Sequence, residues 1–541
     1  MKRTRLALTL AGVLCVSTLA ACATPTGTPS GSTTPPTSAP TTAAPQYVTD
    51  GTLTLTAVTD PGALDPQLTV ASAVVEMSGF AYDYIVTQNA KGEIESNLAK
   101  SWTLEGTTAT FVIKDGVTCS DGSKLTAQTV ADNINWVEDI KNASQLLGTF
   151  IPPGATATAD MATNTVTLKL AGPAPFLLSS LVVVPIVCDA GVKNRDLLKQ
   201  ATLGSGPYAL TEAVPNDHYT YVRRDGYTWG PNGAGTDTPG LPKTIVVKVV
   251  PNESTAVNLL LAGQVNVLMT VGPDGDRPVA AGIPSQDIWA VMGVTWYNHA
   301  AGHPTADPAV RKALTQAVDL DQLTKVVAGN NGVRAKGLAM LQPAPCTYDA
   351  ATGNIATFDP AGAGATLEAA GYTKGTDGMY AKDGKPLAVT FLYDSAQSTA
   401  QAAAELAASQ WKAAGITVNM ASYDTAQLQG ILFGTGDWDI TWEPLNVNSP
   451  DQLVSFLSGP AVTAGGANFS SIDNADYSAA VAQAMTKTGT DSCAYFEQAE
   501  AALYKNSDVI AWALRPNKLW LNKVEYEYIG RTQVMSLRML P

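Results

Sequence analysis

The chain has 541 residues, with 33 Lys or Arg against 47 Asp or Glu and a formal net charge of −14. That balance leaves no basic footprint for nucleic acid, and no run beyond the N-terminal segment is long and apolar enough for a transmembrane helix. The length exceeds what one core organises, so two or three domains are expected.

The first element is an address. Lys2, Arg3 and Arg5 form a positive segment, and residues 6–19 are uncharged and mostly apolar. This stretch falls short of the about 20 residues that span a bilayer and fits the apolar region of a signal peptide. Leu19-Ala20-Ala21-Cys22 follows and resembles the lipobox of bacterial lipoproteins. The resemblance implies a leader at 1–22 and a diacylated Cys22 as the mature N-terminus. Two acyl chains anchor firmly where one does not, so the chain is expected to be exported and held at the outer face of the cytoplasmic membrane. Residues 23–45 contain only Ala, Thr, Pro, Ser and Gly. With nothing to bury, they are expected to be a disordered tether. Extended at about 3.1 Å per residue, they reach roughly 70 Å.

Cys15 leaves with the leader and Cys22 takes the lipid. Cys119, Cys188, Cys346 and Cys493 remain. An even number in an exported chain suggests two disulfides, with three connectivities open. The spacings are unlike a zinc site, and no metal or cofactor is expected.

Residues 51–58 alternate as a strand, with Leu53, Leu55 and Ala57 on one face. Residues 108–114 and 165–170 alternate likewise. Residues 129–140 read as an amphipathic helix with Val130, Ile134 and Val137 on one side. A β-rich run at 243–250 precedes a helix at 254–262, with Glu253-Ser254 as its cap. Residues 308–327 read as one helix opened by Pro308. A helix at 363–370 stops at Gly371. Then come a strand at 387–393, a helix at 400–414 closed by Gly415, and strands at 416–420 and 437–442. A helix at 493–504 and a buried apolar strand at 509–514 follow. Strands and helices alternate, so the class is α/β.

Catalytic signatures are missing from the reading. There is no G-x-S-x-G elbow, P-loop or dinucleotide fingerprint. His299 and His303 have helical zinc spacing, but no Glu follows His299, and Gly302 and Pro304 break any helix. A solvated loop is expected there. Asp115 and Asp121 read as structural. Gly204-Ser205-Gly206-Pro207-Tyr208 reads as a turn, since no Lys follows to make a phosphate cradle.

A family resemblance runs along most of the mature chain. Tyr82-Asp83-Tyr84-Ile85-Val86 is followed by Gly92-Glu93-Ile94-Glu95-Ser96-Asn97-Leu98-Ala99-Lys100-Ser101-Trp102, then by Phe111-Val112-Ile113-Lys114-Asp115-Gly116-Val117 and Ser120-Asp121-Gly122-Ser123-Lys124-Leu125-Thr126-Ala127. The Gly204–Tyr208 turn, Tyr221-Val222-Arg223-Arg224-Asp225-Gly226-Tyr227 and Val310-Arg311-Lys312-Ala313-Leu314-Thr315-Gln316-Ala317-Val318-Asp319 follow in order. This series resembles the extracellular solute-binding proteins of family 5, the oligopeptide-, dipeptide- and nickel-binding group of ABC importers.

The resemblance implies a two-lobed periplasmic-binding-protein-like fold of type II, in its large three-domain form. Lobe one is expected at 46–85, 201–297 and 509–541, an inserted small domain at 86–200, and lobe two at 298–508. Two hinge crossover strands are expected near Trp296-Tyr297-Asn298 and at 509–514. The domain map implies disulfides Cys119–Cys188 and Cys346–Cys493, which leave the hinge free.

Ligand is expected between the lobes, near Trp442, Glu443, Asn446, Asn448, Tyr297 and Asn298. In peptide-binding relatives the loop after the strand at 437–442 carries an Asp that pairs with a peptide's ammonium group. Here that position falls at Asn446 or Val447, and Asn carries no charge. Glu443 is the only carboxylate from Thr441 to Pro450 and is the candidate substitute. The implied function is capture of a peptide or peptide-like solute by a monomer, without catalysis, for the transmembrane subunits of an ABC permease. A non-peptide cargo (a metal chelate, an oligosaccharide or an amine), a surface sensor and a secreted hydrolase are the alternatives.

Overall fold

The computed structural model describes residues 46–541 except 330 and 396–398. The leader at 1–22, Cys22 and the tether at 23–45 lie outside the described residues. A ten-stranded sheet organises the rest. From one edge its order is Thr417–Tyr423, Ala388–Asp394, Ile440–Trp442, Ser285–Tyr297, Val509–Leu521, Val267–Thr270, Thr52–Ala57, Thr244–Val249, His218–Arg223 and Tyr208–Val214.

The two central strands are the longest, at 13 residues each. They pair antiparallel from Ser285 against Trp520 to Trp296 against Val509, with register shifts between Val291 and Val294. Flanking strands cover only their ends. Val267–Thr270 pairs with residues 518–521, and Ile440–Trp442 pairs with Thr295–Tyr297. Between those ends, the two strands carry the sheet with only a single bridge from Val333 to Leu514 beside them. The run Val509-Ile510-Ala511-Trp512-Ala513-Leu514 is buried throughout, as a strand with both faces covered requires.

Separate apolar cores pack on either side of this pair. One includes Leu53, Phe80, Tyr221, Ile245, Leu519 and Leu537. A second includes Ile85, Phe111, Val130, Ile134, Val166 and Val184. It lies under a four-stranded sheet ordered Ala99–Glu105, Thr108–Ile113, Thr165–Lys169 and Thr156–Asp160. The third includes Trp296, Leu314, Phe391, Trp411, Trp442 and Trp512. Parallel and antiparallel pairs mix in the large sheet, and helices pack on it, so the architecture is α/β.

Local chemistry explains where elements start and stop. Thr126 caps helix Ala127–Glu138, its hydroxyl accepting from the Thr129 N–H. Helix Glu253–Leu261 is capped one residue earlier than the sequence reading placed it, by the Asn252 side chain. The single helix read at 308–327 is two, Pro308–Gln316 and Leu320–Ala328. Asp319 sits between them and accepts from the Asp321 and Gln322 N–H groups, so it begins a new helix. The full strand Ser285–Tyr297 was not read, because Met292 and Gly293 interrupt its alternation.

Two disulfides are present, Cys119–Cys188 and Cys346–Cys493. Each joins residues within one of the cores above or at its edge. The turn at Gly204-Ser205-Gly206 passes directly over the backbone of Ala81 and Tyr82. A Cβ on Gly206 would stand 2.4 Å from the Ala81 carbonyl carbon, so this close approach requires glycine.

Candidate functional site

Ala388–Asp394 and Ile440–Trp442 are neighbouring parallel strands. Their C-terminal ends bring Asp394 and Glu443 together. Open α/β sheets bind ligands beyond such ends. Asp394 is buried and accepts a 2.7 Å hydrogen bond from the Thr425 hydroxyl. Glu443 accepts a 2.9 Å bond from the Gln429 amide. Burial, aided by the Asp394 charge and opposed by the Gln429 bond, pushes the Glu443 carboxyl up to about 7. Among the described residues no Lys, Arg or His nitrogen pairs with Glu443. A half-buried carboxylate of this kind is poised for a cation.

Trp442 is 5 % exposed. Its ring packs edge-on against Phe391 at 4.9 Å and Trp512 at 5.1 Å between centroids. The indole ring therefore belongs to the core, but its buried N–H has no partner among the described residues. Trp296 holds the adjacent loop, its indole N–H donating to the Glu443 carbonyl at 2.7 Å.

Asn446 has a different position from a free ligand contact. Its Oδ1 accepts from the Val291 N–H at 2.9 Å, and its Nδ2 donates to the Val291 carbonyl at 3.3 Å. It ties the loop to the central strand at its register shift. Asn448 is half-buried, and its side chain makes no hydrogen bond among the described residues.

Tyr297 and Asn298 are framework. Tyr297 is buried with its hydroxyl 3.1 Å from that of Thr315. Asn298 donates to the Trp438 and Gly436 carbonyls at 2.9 and 3.2 Å and accepts from the Ala300 N–H. Strand alternation turns Tyr297 into the core, and the chain beyond it turns inward, so neither side chain lies on an open surface.

The loop at His299–His303 is corrected as well. Ala301 and Gly302 are exposed, as expected, but the histidines are not free in solvent. The His299 side chain is only 10 % exposed, with Nε2 3.3 Å from the Asp508 carbonyl, and desolvation together with the Arg311 charge lowers its imidazole to about 3. His303 Nδ1 lies 2.8 Å from Asp439 Oδ1. The two rings serve different partners rather than one metal, and among the described residues no three His, Cys, Asp or Glu side chains converge on a metal position.

One segment of the second core reaches the third. The Phe176 ring lies 6.0 Å from that of Phe496, and the Gly489 N–H donates to the Pro175 carbonyl at 2.9 Å. Sequence reasoning did not find Asp394, Gln429 or Phe176. For Asp394 a signal existed, since it ends a strand that the sequence reading had placed.

Bodies with their own cores, joined by two adjacent long strands and with a pair of carboxylates at strand ends, define a two-lobed ligand-binding protein of the periplasmic-binding class. The family described as "Bacterial extracellular solute-binding proteins, family 5 Middle" matches residues 93–463, and the chain belongs to it. It is similar to the nickel-binding periplasmic protein of Escherichia coli, at 27% identity over 66% of this chain and 68% of that one. It is also similar to the periplasmic murein peptide-binding protein of Escherichia coli, at 25% identity over 79% and 81%. Among solved structures, a substrate-binding protein from Microbacterium hydrocarbonoxydans complexed with 4-hydroxybenzoate hydrazide aligns at TM-score 0.70 and 26% identity, covering 90% of this chain and 100% of the other. The chain is thus a substrate-binding protein of ABC importers, and its relatives are binding proteins rather than enzymes. Family members work on the periplasmic or extracellular side. Among the described residues no helix is long and apolar enough to cross a membrane.

Proposed function

We propose that this chain is the lipid-anchored receptor of an ABC importer and that it captures a peptide or peptide-like solute through an ammonium group. The observation that carries this reading is Glu443, a desolvated carboxylate with no cation at the strand ends beside Asp394. Burying an ammonium costs several kcal/mol unless an anion meets it, and Glu443 supplies that anion. The Asn448 amide, half-buried and without a hydrogen bond among the described residues, is the further polar contact from the same loop. Lobe one comprises 46–85, 201–297 and 509–541, the inserted domain 86–200, and lobe two 298–508. The separate cores support the division in outline, with the central strands around Trp296 and Trp512 packing into the lobe-two core. Closure of the lobes around cargo follows from the extra contacts cargo makes in the closed state. Diacylated Cys22 and the 23–45 tether hold the receptor beside its permease.

Mass spectrometry of ligand released from the purified body identifies the cargo. Titrating that ligand against Glu443→Gln tests the anchoring role, with an expected loss of about 2–5 kcal/mol. Unchanged affinity would mean a cargo recognised without an amine at this position, such as a metal chelate or oligosaccharide. Cys22→Ala is expected to leave the membrane fraction. Retention there after a salt wash contradicts the lipid anchor. Deletion of the gene separates receptor from sensor, since only a receptor is needed for uptake.

A further inference from the structure

A cavity lies between the segment at 82–97 and the C-terminal segment at 527–538. Its volume is about 280 Å³. Arg531 and Asn97 both line it. Arg531 is 3 % exposed. Its guanidinium lies 3.9 Å over the Tyr84 ring, which supports the cation from one face only. Among the described residues it donates no hydrogen bond and makes no ion pair. The Arg531 charge is felt by the Glu76 carboxylate, but its five N–H donors have no hydrogen-bond acceptor of their own and are free to meet one in the cavity. Glu76 accepts its hydrogen bond from the Thr532 N–H at 3.1 Å and not from Arg531.

Asn97 shows the complementary deficit. It is 4 % exposed, its Oδ1 is buried without a donor, and its amide makes no other side-chain bond among the described residues. Glu95 also lines the cavity. Its two oxygens accept from the Asn89 and Asn232 amides at 3.2 and 3.0 Å. The lining therefore holds a guanidinium fork without an acceptor, an asparagine oxygen without a donor, and carboxylates.

We infer that this cavity is a ligand site separate from the proposed cargo site, and that it takes a small zwitterion of the amino-acid class, its carboxylate on Arg531 and its ammonium on Asn97 and Glu95. A planar carboxylate matches the guanidinium fork. An ammonium supplies the donor that the Asn97 oxygen lacks. A simple anion answers only one half of the deficit and shares the cavity with the Glu95 and Glu527 carboxylates.

Calorimetry of the full chain with glycine, acetate and methylammonium tests this. Titration in the Glu443→Gln background removes the proposed ammonium anchor of the cargo site, so its failure and the failure of the cargo reading are distinguishable. Glycine is expected to bind, and acetate and methylammonium to bind at least about tenfold more weakly. Arg531→Lys, which keeps the charge but loses the fork, is expected to weaken glycine by about tenfold or more. Asn97→Leu should weaken it too. Should Arg531→Lys fail to fold, diffraction from wild-type crystals soaked in glycine supplies a second readout, with density bridging Arg531 and Asn97. Absence of glycine binding in wild type, equal binding of acetate, or glycine density elsewhere overturns the inference.

Discussion

The side-chain amide of Asn446 answers both backbone polar groups of Val291, accepting from its N–H at 2.9 Å and donating to its carbonyl at 3.3 Å. Val291 lies where the central strand pair shifts register and where no flanking strand covers it. One asparagine therefore does locally what a neighbouring strand does elsewhere in the sheet. Asn446→Ala is expected to lower stability by about 1–2 kcal/mol, since two backbone groups lose their partner. Urea denaturation measures this. A variant as stable as wild type but weak for cargo would instead make Asn446 a direct contact.

Glu443 makes stability pH-dependent. Its folded carboxyl titrates at about 7, against 4.5 for the ordinary group. The folded state therefore holds a proton that the unfolded chain has released. The associated stability is full below pH 4.5 and is lost as pH rises through 7. Relative to wild type, Glu443→Gln should gain stability steadily over that window, and paired denaturation curves at pH 5 and pH 8 read the difference. A cationic cargo pulls the group back down, so binding near pH 6 should release a proton. Calorimetry in two buffers of different ionisation enthalpy detects it. Parallel stability curves, or binding without proton release, contradict the assignment.

His299 gives the opposite sign. Its imidazole titrates at about 3 when folded and at 6.5 ordinarily. Below pH 6.5 the unfolded chain takes up a proton that the folded chain refuses, so this contribution is present above 6.5 and is lost as pH falls toward 3. His299→Gln should flatten the acid limb of the stability profile. An unchanged slope between pH 6.5 and 4 would show that the ring is solvated after all.

The Cys346–Cys493 bridge closes a long loop, with a sequence separation of 147. Chain entropy assigns such a loop a stabilisation of about 4–5 kcal/mol. The double Ser variant is expected to lose about 3–5 kcal/mol, read as a fall in the denaturation midpoint. It should still bind cargo when folded, because the bridge does not touch Glu443. Loss of binding in a folded variant would tie the bridge to the cargo site.

The sequence by itself determined the class of the protein and much of its element order. Alternation at 52–57, 108–113 and 165–169 and the apolar run from Val509 are local signals, because pleat and burial act residue by residue. Glu443 stood out as the sole carboxylate in its loop. Local pattern failed where a side chain's partner lies far along the chain. Asp319 splits a helix that periodicity alone runs together. Asn446 and Asn298 read as open amides, yet the first bonds to Val291 and the second to Trp438. His299 read as solvated until Arg311 and Asp508 closed over it. Arg531 meets Tyr84 more than 400 positions earlier in the chain. Only the tertiary structure decides such cases. A polar group's role depends on which donor, acceptor or charge the fold brings within about 3–4 Å, and sequence spacing carries no record of that distance.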